Sequence, residues 1–355
     1  MFNLKQLYFL ERVIMSNIAR TKVPYKLAFA LTYHCNLRCK SCFIWSREAK
    51  NELTYEEIEK FFEKSNKFSW IHLTGGEMFL RDDLNDIIDL IFDYCRYLCL
   101  LNIVTNGQLT EKIVSTIKRM IKKWKITPII TVSIDGPPDI NNMIRGSSAA
   151  WDNAVATFVE LKKLKLQHVY IGYTISQYNV GKIYDMFDSV KLKFPRLTYN
   201  DIHINFAHNS EHYLNNSSLY FPLEKLFDEN LGKVLENQKG VKAILEKQYH
   251  NKLRQYVKNK RMPLRCQAMR TYCFLDPYGD VYPCSIYNHK IVNIKEIGYD
   301  LRKLWEHDLR TEKVRNEIFK GRCPHCWTPC EAYPAILGSL RQIAGDAISS
   351  VILNK

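Results

Sequence analysis

Residues 26–206 alternate short β-rich runs with amphipathic stretches of helical period, and this alternation restricts the chain to a parallel sheet with crossover helices. The predicted strands cover 26–32, 70–74, 98–105, 128–134, 168–175 and 201–206. Helices fill the gaps, as at Thr54, where Glu57 follows three residues on in the pattern of a capping box. Six units of about thirty residues fall short of the eight, in roughly 250 residues, that close a parallel barrel. The expected fold is therefore α/β: a partial, open (β/α)6 TIM-like barrel followed by a small C-terminal α+β, cysteine-rich extension. Chemistry in such barrels gathers at the C-terminal strand ends. Residues 35–42, 75–77, 106–107 and 135–136 fall there, after the first four strands.

Beyond Phe206 the alternation stops. Residues 207–217 are polar and rich in His and Asn, which reads as a linker, and helical patterns follow over 223–238 and 241–258. A hairpin fits 272–282, turning at 276–280 on Pro277 and Gly279. The predicted organisation is an amphipathic segment 1–25, the barrel 26–206, a helical linker 207–260, a cysteine-rich domain 261–332 and an amphipathic helix 333–355.

With 46% hydrophobic residues in 355, a large core is available and general disorder is excluded. No run of eighteen apolar residues occurs, and the N-terminus lacks a secretory pattern, so a cytoplasmic location is expected, with contact at the inner membrane face as an extension of it. A formal charge of +14 fits solubility, an anionic ligand, a nucleic acid or a membrane surface. Eleven cysteines in a reducing compartment argue for metal or redox chemistry rather than disulfides. Nine of them fall into two groups; Cys95 and Cys99 lie apart in an apolar stretch and read as packing residues.

The first group, Cys35, Cys39 and Cys42, forms CxxxCxxC in a loop after a strand and is followed by Phe43. Three thiolates this close suit an iron–sulfur cluster with one iron left open. A structural zinc site needs a fourth ligand, and only His34 stands at a fitting spacing.

With its CxxxCxxC and following aromatic residue, the chain resembles the radical S-adenosylmethionine (radical SAM) enzymes. That resemblance implies a 4Fe–4S cluster on Cys35, Cys39 and Cys42 whose open iron chelates S-adenosylmethionine (AdoMet). It also implies one-electron cleavage of AdoMet to methionine and a 5′-deoxyadenosyl radical, which takes a hydrogen atom from substrate, and a reducing partner of flavodoxin or ferredoxin type. Thr74, Gly75, Gly76 and Glu77 resemble the family's GGE loop, whose backbone contacts the methionine ammonium; glycine lets a main chain approach a ligand closely. Ser133, Ile134, Asp135, Gly136 and Pro137, with Arg145 beyond, resemble an arrangement in which Ser133 bonds the ribose or its surroundings and Arg145 the AdoMet carboxylate. Thr105 and Asn106 after the third strand and Thr174 at the end of the fifth are further candidates for lining the pocket, with ordinary turn and strand-end roles as the alternative.

In the second group, twelve residues separate Cys266 from Gly279 and four more separate that glycine from Cys284, giving CX12GX4C; Cys323, Cys326 and Cys330 follow as CX2CX3C. This resembles the SPASM/Twitch extension of the same family, which houses auxiliary 4Fe–4S clusters. The chain departs from the seven-cysteine SPASM pattern: there are six, with no X5 segment and no cysteine after Cys330. Two fully cysteine-bound cubes need eight ligands, so one auxiliary cluster is expected on Cys266, Cys284, Cys323 and Cys326. Cys273 and Cys330 are alternates or ligands of an incomplete second cluster, and a closed zinc site is the local alternative.

Only 25 residues precede the first strand, so neither a cobalamin domain nor a winged-helix leader-peptide domain is expected before it. Apolar stripes recur at helical spacing at both ends: Leu4, Leu7, Tyr8, Leu10, Ile14 and Ile18, then Ile336, Leu337, Leu340, Ile343, Ala347, Ile348 and Val351. Such stripes are expected to pack against their own protein, with membrane contact as the alternative. The first expectation for the substrate is a lipid or cell-envelope precursor. A peptide or protein maturase is the alternative, and a zinc-stapled nucleic-acid binder is the reading from a different class; no nucleic-acid partner is expected of the enzyme.

Overall fold

The structure, a computed structural model, describes residues 3–219, 234, 236–306 and 308–343. The expected helix over 223–238 lies mostly outside the described residues, and Ala347, Ile348 and Val351 lie wholly outside them.

Six strands, β1 (Lys26–Ala30), β2 (Trp70–Thr74), β3 (Leu100–Thr105), β4 (Ile129–Ser133), β5 (Val169–Ile175) and β6 (Ile202–Phe206), pair in parallel and in sequence order. All six predicted strands are present, β2 with the predicted bounds and the others shortened by one or two residues at one or both ends. The connections carry α2 (Tyr55–Lys64), α3 (Leu84–Tyr94), α4 (Thr110–Trp124), α5 (Pro138–Arg145), α6 (Ala150–Lys163) and α7 (Ile183–Lys193), preceded by α1 (Leu4–Ile18). Thr54 and Glu57 form the predicted capping box of α2.

Burial alternates along β3, β4, β5 and β6. Ile103, Val132, Ile171 and Ile204 are buried against the helices, whereas Val104, Thr131, Ser133, Gly172, Thr174 and Asn205 are half-buried on the other face. The strand period of two therefore gives the sheet one apolar face and one accessible face.

The sheet does not end at β1. β7 (Tyr272–Leu275) pairs in parallel with β1, and β8 (Asp280–Tyr282) and β9 (Val292–Asn293) continue antiparallel, giving the order β6-β5-β4-β3-β2-β1-β7-β8-β9. The predicted hairpin at 272–282 is thus the bridge that joins the cysteine-rich extension to the barrel sheet. Helices α8 (Gly240–Asn259), α9 (Arg302–Glu306), α10 (Leu309–Phe319) and α11 (Pro329–Leu337) complete the described α-helices. One apolar cluster runs from Leu27 through the barrel to Trp327 and Ile336, so the extension shares the barrel's core.

The N-terminal stripe corrects an expectation. α1 packs through Phe9 and Val13 onto Tyr25 and Trp70, while Leu4, Leu7, Leu10, Ile14 and Ile18 stay exposed. The face toward the protein is the narrow strip that holds Val13 and Ser16, so the apolar stripe points the other way. Of the C-terminal stripe, Ile336 is buried and Leu337 and Ile343 are half-buried, but Leu340 is exposed.

Candidate active site

Loop 35–42 leaves the C-terminal end of β1 and is clamped by three other segments. The Gly76 and Glu77 amides, beyond β2, donate to the Thr32 and His34 carbonyls at 2.7 and 2.8 Å. The Arg38 and Lys40 amides donate to the Arg145 and Ile144 carbonyls of α5 at 3.2 and 2.8 Å. From 207–217, Leu214 accepts from the Phe43 amide at 2.8 Å and the Asn216 side chain donates to the Ser41 carbonyl at 2.8 Å. So held, Cys35, Cys39 and Cys42 pack together with Leu37 and Ala150, and burial pushes all three thiols up, Cys42 to about 12.

The GGE turn is tied to this loop at backbone distance. A Cβ on Gly75 would stand 2.4 Å from the Thr32 oxygen, and one on Gly76 would stand 2.2 Å from the His34 oxygen. Both glycines are thus required by the approach of the cysteine loop itself, a reason that the expectation of a close ligand did not include. Glu77 is fully buried and serves as a post: its carboxylate accepts the Thr105 hydroxyl at 3.0 Å, the Asn106 amide at 2.7 Å and the Phe79 amide at 3.3 Å. Burial nevertheless pushes its carboxyl up to about 7. The Asn106 side chain donates to Asn36 at 2.8 Å and lies 3.9 Å from the Cys35 sulfur.

Arg145 is a largely buried cation beside the cysteines, its side chain 14% exposed. Its Nη1 lies 3.8 Å from the Cys39 sulfur and its Nη2 pairs with Asp135 at 2.5 Å. Burial works against the guanidinium, but Asp135 and Cys39 outweigh it and hold it above its ordinary range. Its Nε is buried with no hydrogen-bond partner among the described residues. Asp135 in turn accepts the Thr174 amide at 2.9 Å, and its carbonyl accepts from Asn179 at 2.7 Å. Ser133 and Thr174 are half-buried on the accessible face near this pair, and the Thr74 hydroxyl bonds Tyr213 at 2.6 Å. Phe43 stands edge-on to Trp45.

The second cysteine group divides. Cys266, Cys284, Cys323 and Cys326 line one small apolar cavity with Met262 and Ile318. Backbone amides of Ala268 and Tyr287 point at the Cys266 and Cys284 sulfurs, at 3.4 and 3.2 Å. The four thiols line this one cavity together. Four thiols are the ligand count of one 4Fe–4S cluster and of a structural zinc site alike. Cys273 and Cys330 do not reach the cavity. Cys273 is a β7 residue buried in the main core beside Leu27, and Cys330 lies in the first turn of α11, its carbonyl accepting from the buried Lys26 at 2.6 Å. Cys95 is buried and Cys99 half-buried, in keeping with packing roles.

Residues 207–217, read from sequence as a linker, form the ordered wedge between the two cysteine groups. Tyr213 reaches Thr74, His212 bonds the Cys284 carbonyl at 3.0 Å, and Ser210 bonds the Ser285 carbonyl at 2.5 Å. The density of His and Asn in that stretch was the available signal, since side chains that bond backbone are common in ordered loops as well as in linkers. Asp135, given no role of its own within the motif that leads to Arg145, is the other partner missed.

Comparison with known proteins matches residues 29–190 to the Radical SAM superfamily and residues 266–331 to SPASM, an iron–sulfur cluster-binding domain. Among curated relatives, the antilisterial bacteriocin subtilosin biosynthesis protein AlbA of Bacillus subtilis is 22% identical over 318 residues, covering 85% of this chain and 65% of AlbA. The AdoMet-dependent heme synthase of Methanosarcina barkeri is 25% identical over 333 residues, 87% of this chain and 90% of that protein. The crystal structure of Streptococcus suis SuiB bound to precursor peptide SuiA superposes with a TM-score of 0.60 at 16% identity, covering 86% of this chain and 69% of SuiB, a likeness of fold.

Proposed function

The chain belongs to the radical SAM superfamily and carries a C-terminal SPASM domain, and on that premise we propose that it abstracts a hydrogen atom from an unactivated C–H bond of a peptide substrate held against the accessible face of the open barrel. The two domains imply a 4Fe–4S cluster with AdoMet at the first site and auxiliary iron–sulfur in the extension. When bound, the first cluster supplies the electron that splits AdoMet into methionine and a 5′-deoxyadenosyl radical.

The observation that carries this reading is the packing of Cys35, Cys39 and Cys42 against the GGE turn and Arg145 at the mouth of the sheet. The three thiolates would hold the cluster, and the Arg145 charge offsets their negative charge in a poorly solvated place. The unpartnered Arg145 Nε is a donor left for the AdoMet carboxylate, while Asp135 fixes the plane of the fork. Glu77 keeps the turn in the position from which its backbone would meet the methionine ammonium. Ser133, Thr174, Asn106, Thr74 and Phe43 are assigned to the surrounding wall. In the extension, Cys266, Cys284, Cys323 and Cys326 would hold one auxiliary cluster; Cys273 and Cys330 are left out. The reductant is assigned to the flavodoxin or ferredoxin class.

The peptide assignment rests on the bacteriocin-maturing role in AlbA's name and on the precursor peptide bound by SuiB; these relatives lend the earlier lipid expectation no support. Haem precursors are the second reading, because the heme synthase is matched over 90% of its length. Anaerobically reconstituted protein, given AdoMet and dithionite, is expected to hold two clusters' worth of iron, about eight per chain, and to release 5′-deoxyadenosine. Replacing Cys35, Cys39 and Cys42 by Ala should end that release; if it persists, the assignment fails. Mass shifts in peptide pools support the substrate class, and shifts confined to tetrapyrrole pools replace it with the second reading.

A further inference from the structure

Helix α1 is fixed to the body by one side only. Phe9 meets Tyr25 and Trp70 edge-on at 6.0 and 6.4 Å, Val13 and Ser16 are buried, and Asn17 bonds the Leu337 carbonyl and the Leu340 amide at 2.8 and 2.9 Å. These contacts set the rotation of the helix about its axis. The opposite side presents Leu4, Leu7, Leu10, Ile14, Met15 and Ile18 at 73, 49, 44, 45, 43 and 72% exposure. Scattered exposed apolar residues need no explanation. Here, six of the thirteen large exposed hydrophobic side chains among the described residues stand on one fifteen-residue helix, which makes a patch.

The border of the patch is basic. Lys5 and Arg12 lie on α1, Arg12 over the Tyr8 ring at 4.7 Å; Tyr8 stacks on Tyr97 at 4.2 Å, and Lys67 and Arg96 flank Tyr97. Glu11, the one acid on the helix, stands at helical spacing from Leu7, Ile14 and Met15 and so interrupts the exposed apolar face. An amphipathic helix with an exposed apolar face and cations along one border has the composition of a helix lying in a lipid headgroup layer. The charge of +14 also opposes pairing of this face with a second copy while attracting an anionic surface.

We propose that the exposed face of α1 docks this protein onto anionic lipid bilayers. This lies outside the proposed reaction and does not depend on it. The test is co-sedimentation of the full, cluster-loaded chain with vesicles of phosphatidylcholine alone and of phosphatidylcholine mixed with phosphatidylglycerol. Binding to the mixed vesicles that weakens as salt is raised is expected. The Leu7→Glu/Ile14→Glu variant is expected to lose at least about tenfold in vesicle affinity, and the charge reversal Lys5→Glu/Lys67→Glu to lose most of the preference for anionic lipid. Both variants should release 5′-deoxyadenosine at the parent rate, which shows that they are folded and loaded. Three results would overturn the proposal: equal, weak sedimentation with both vesicle types; a dimer in light scattering that Leu7→Glu/Ile14→Glu dissolves, which gives the face to a second copy; or vesicle binding that appears only after residues 344–355 are deleted, which gives it to the C-terminal segment.

Discussion

At the residue scale, the strictest demand in the molecule falls on Gly76, whose missing side chain leaves room for the carbonyl of His34 one position before the first cysteine. No rotamer change relieves a Cβ placed 2.2 Å from a backbone oxygen, so Gly76→Ala must move the loop that carries Cys35. A displacement of about 1 Å at a catalytic centre typically costs about a hundredfold in rate. Gly76→Ala is accordingly expected to lower 5′-deoxyadenosine release by that order and to reduce the iron retained at the first site, with the circular dichroism spectrum unchanged. Parent-like iron and turnover would show a compliant loop. The residue types at this site were legible because each belongs to a short motif. The partners were not: Asp135 meets Arg145 across ten residues, and Tyr213 meets Thr74 across 139, distances over which local pattern carries no information.

Among elements, α8 shows how a segment read as a connector becomes structural. Its Glu246 bonds His203 of β6 at 2.7 Å and accepts from Tyr333 of α11 at 3.1 Å. Its His250 is 4% exposed, with both ring nitrogens lacking a hydrogen bond among the described residues. Burial holds the His250 ring down at about 4, against about 6.5 in an unfolded chain. The unfolded state therefore takes up the proton first as pH falls, and the stability present above pH 6.5 is lost progressively between about 6.5 and about 4. His72, held down to about 3 by burial, acts in the same direction. Across that window the unfolding free energy of the parent, obtained from urea titration, should fall relative to that of His250→Phe by at most about 1.4 kcal/mol per pH unit. Parallel curves for the two proteins would contradict the assignment. The strands, by contrast, were readable to within two residues, because apolar runs bounded by turn residues are local signals.

For the whole molecule, the parallel pairing of β7 with β1 joins two domains into one nine-stranded sheet over one core. The extension therefore should not open independently: hydrogen exchange is expected to protect the β7 and β1 amides to the same degree, near the global unfolding free energy. Early exchange of β7 through β9 with β1 still protected would show two separate units. The sequence alone determined the βα alternation, the trio of cysteines after the first strand and the total of six thiols later in the chain, because period and spacing are properties of neighbouring residues. Only the tertiary structure decided that Cys273 and Cys330 turn away from the cavity shared by the four expected ligands, that 207–217 wedges between the two groups, and that α1 keeps its apolar face outward. Each of these depends on which distant segment arrives opposite a given side chain, and chain spacing does not encode that encounter.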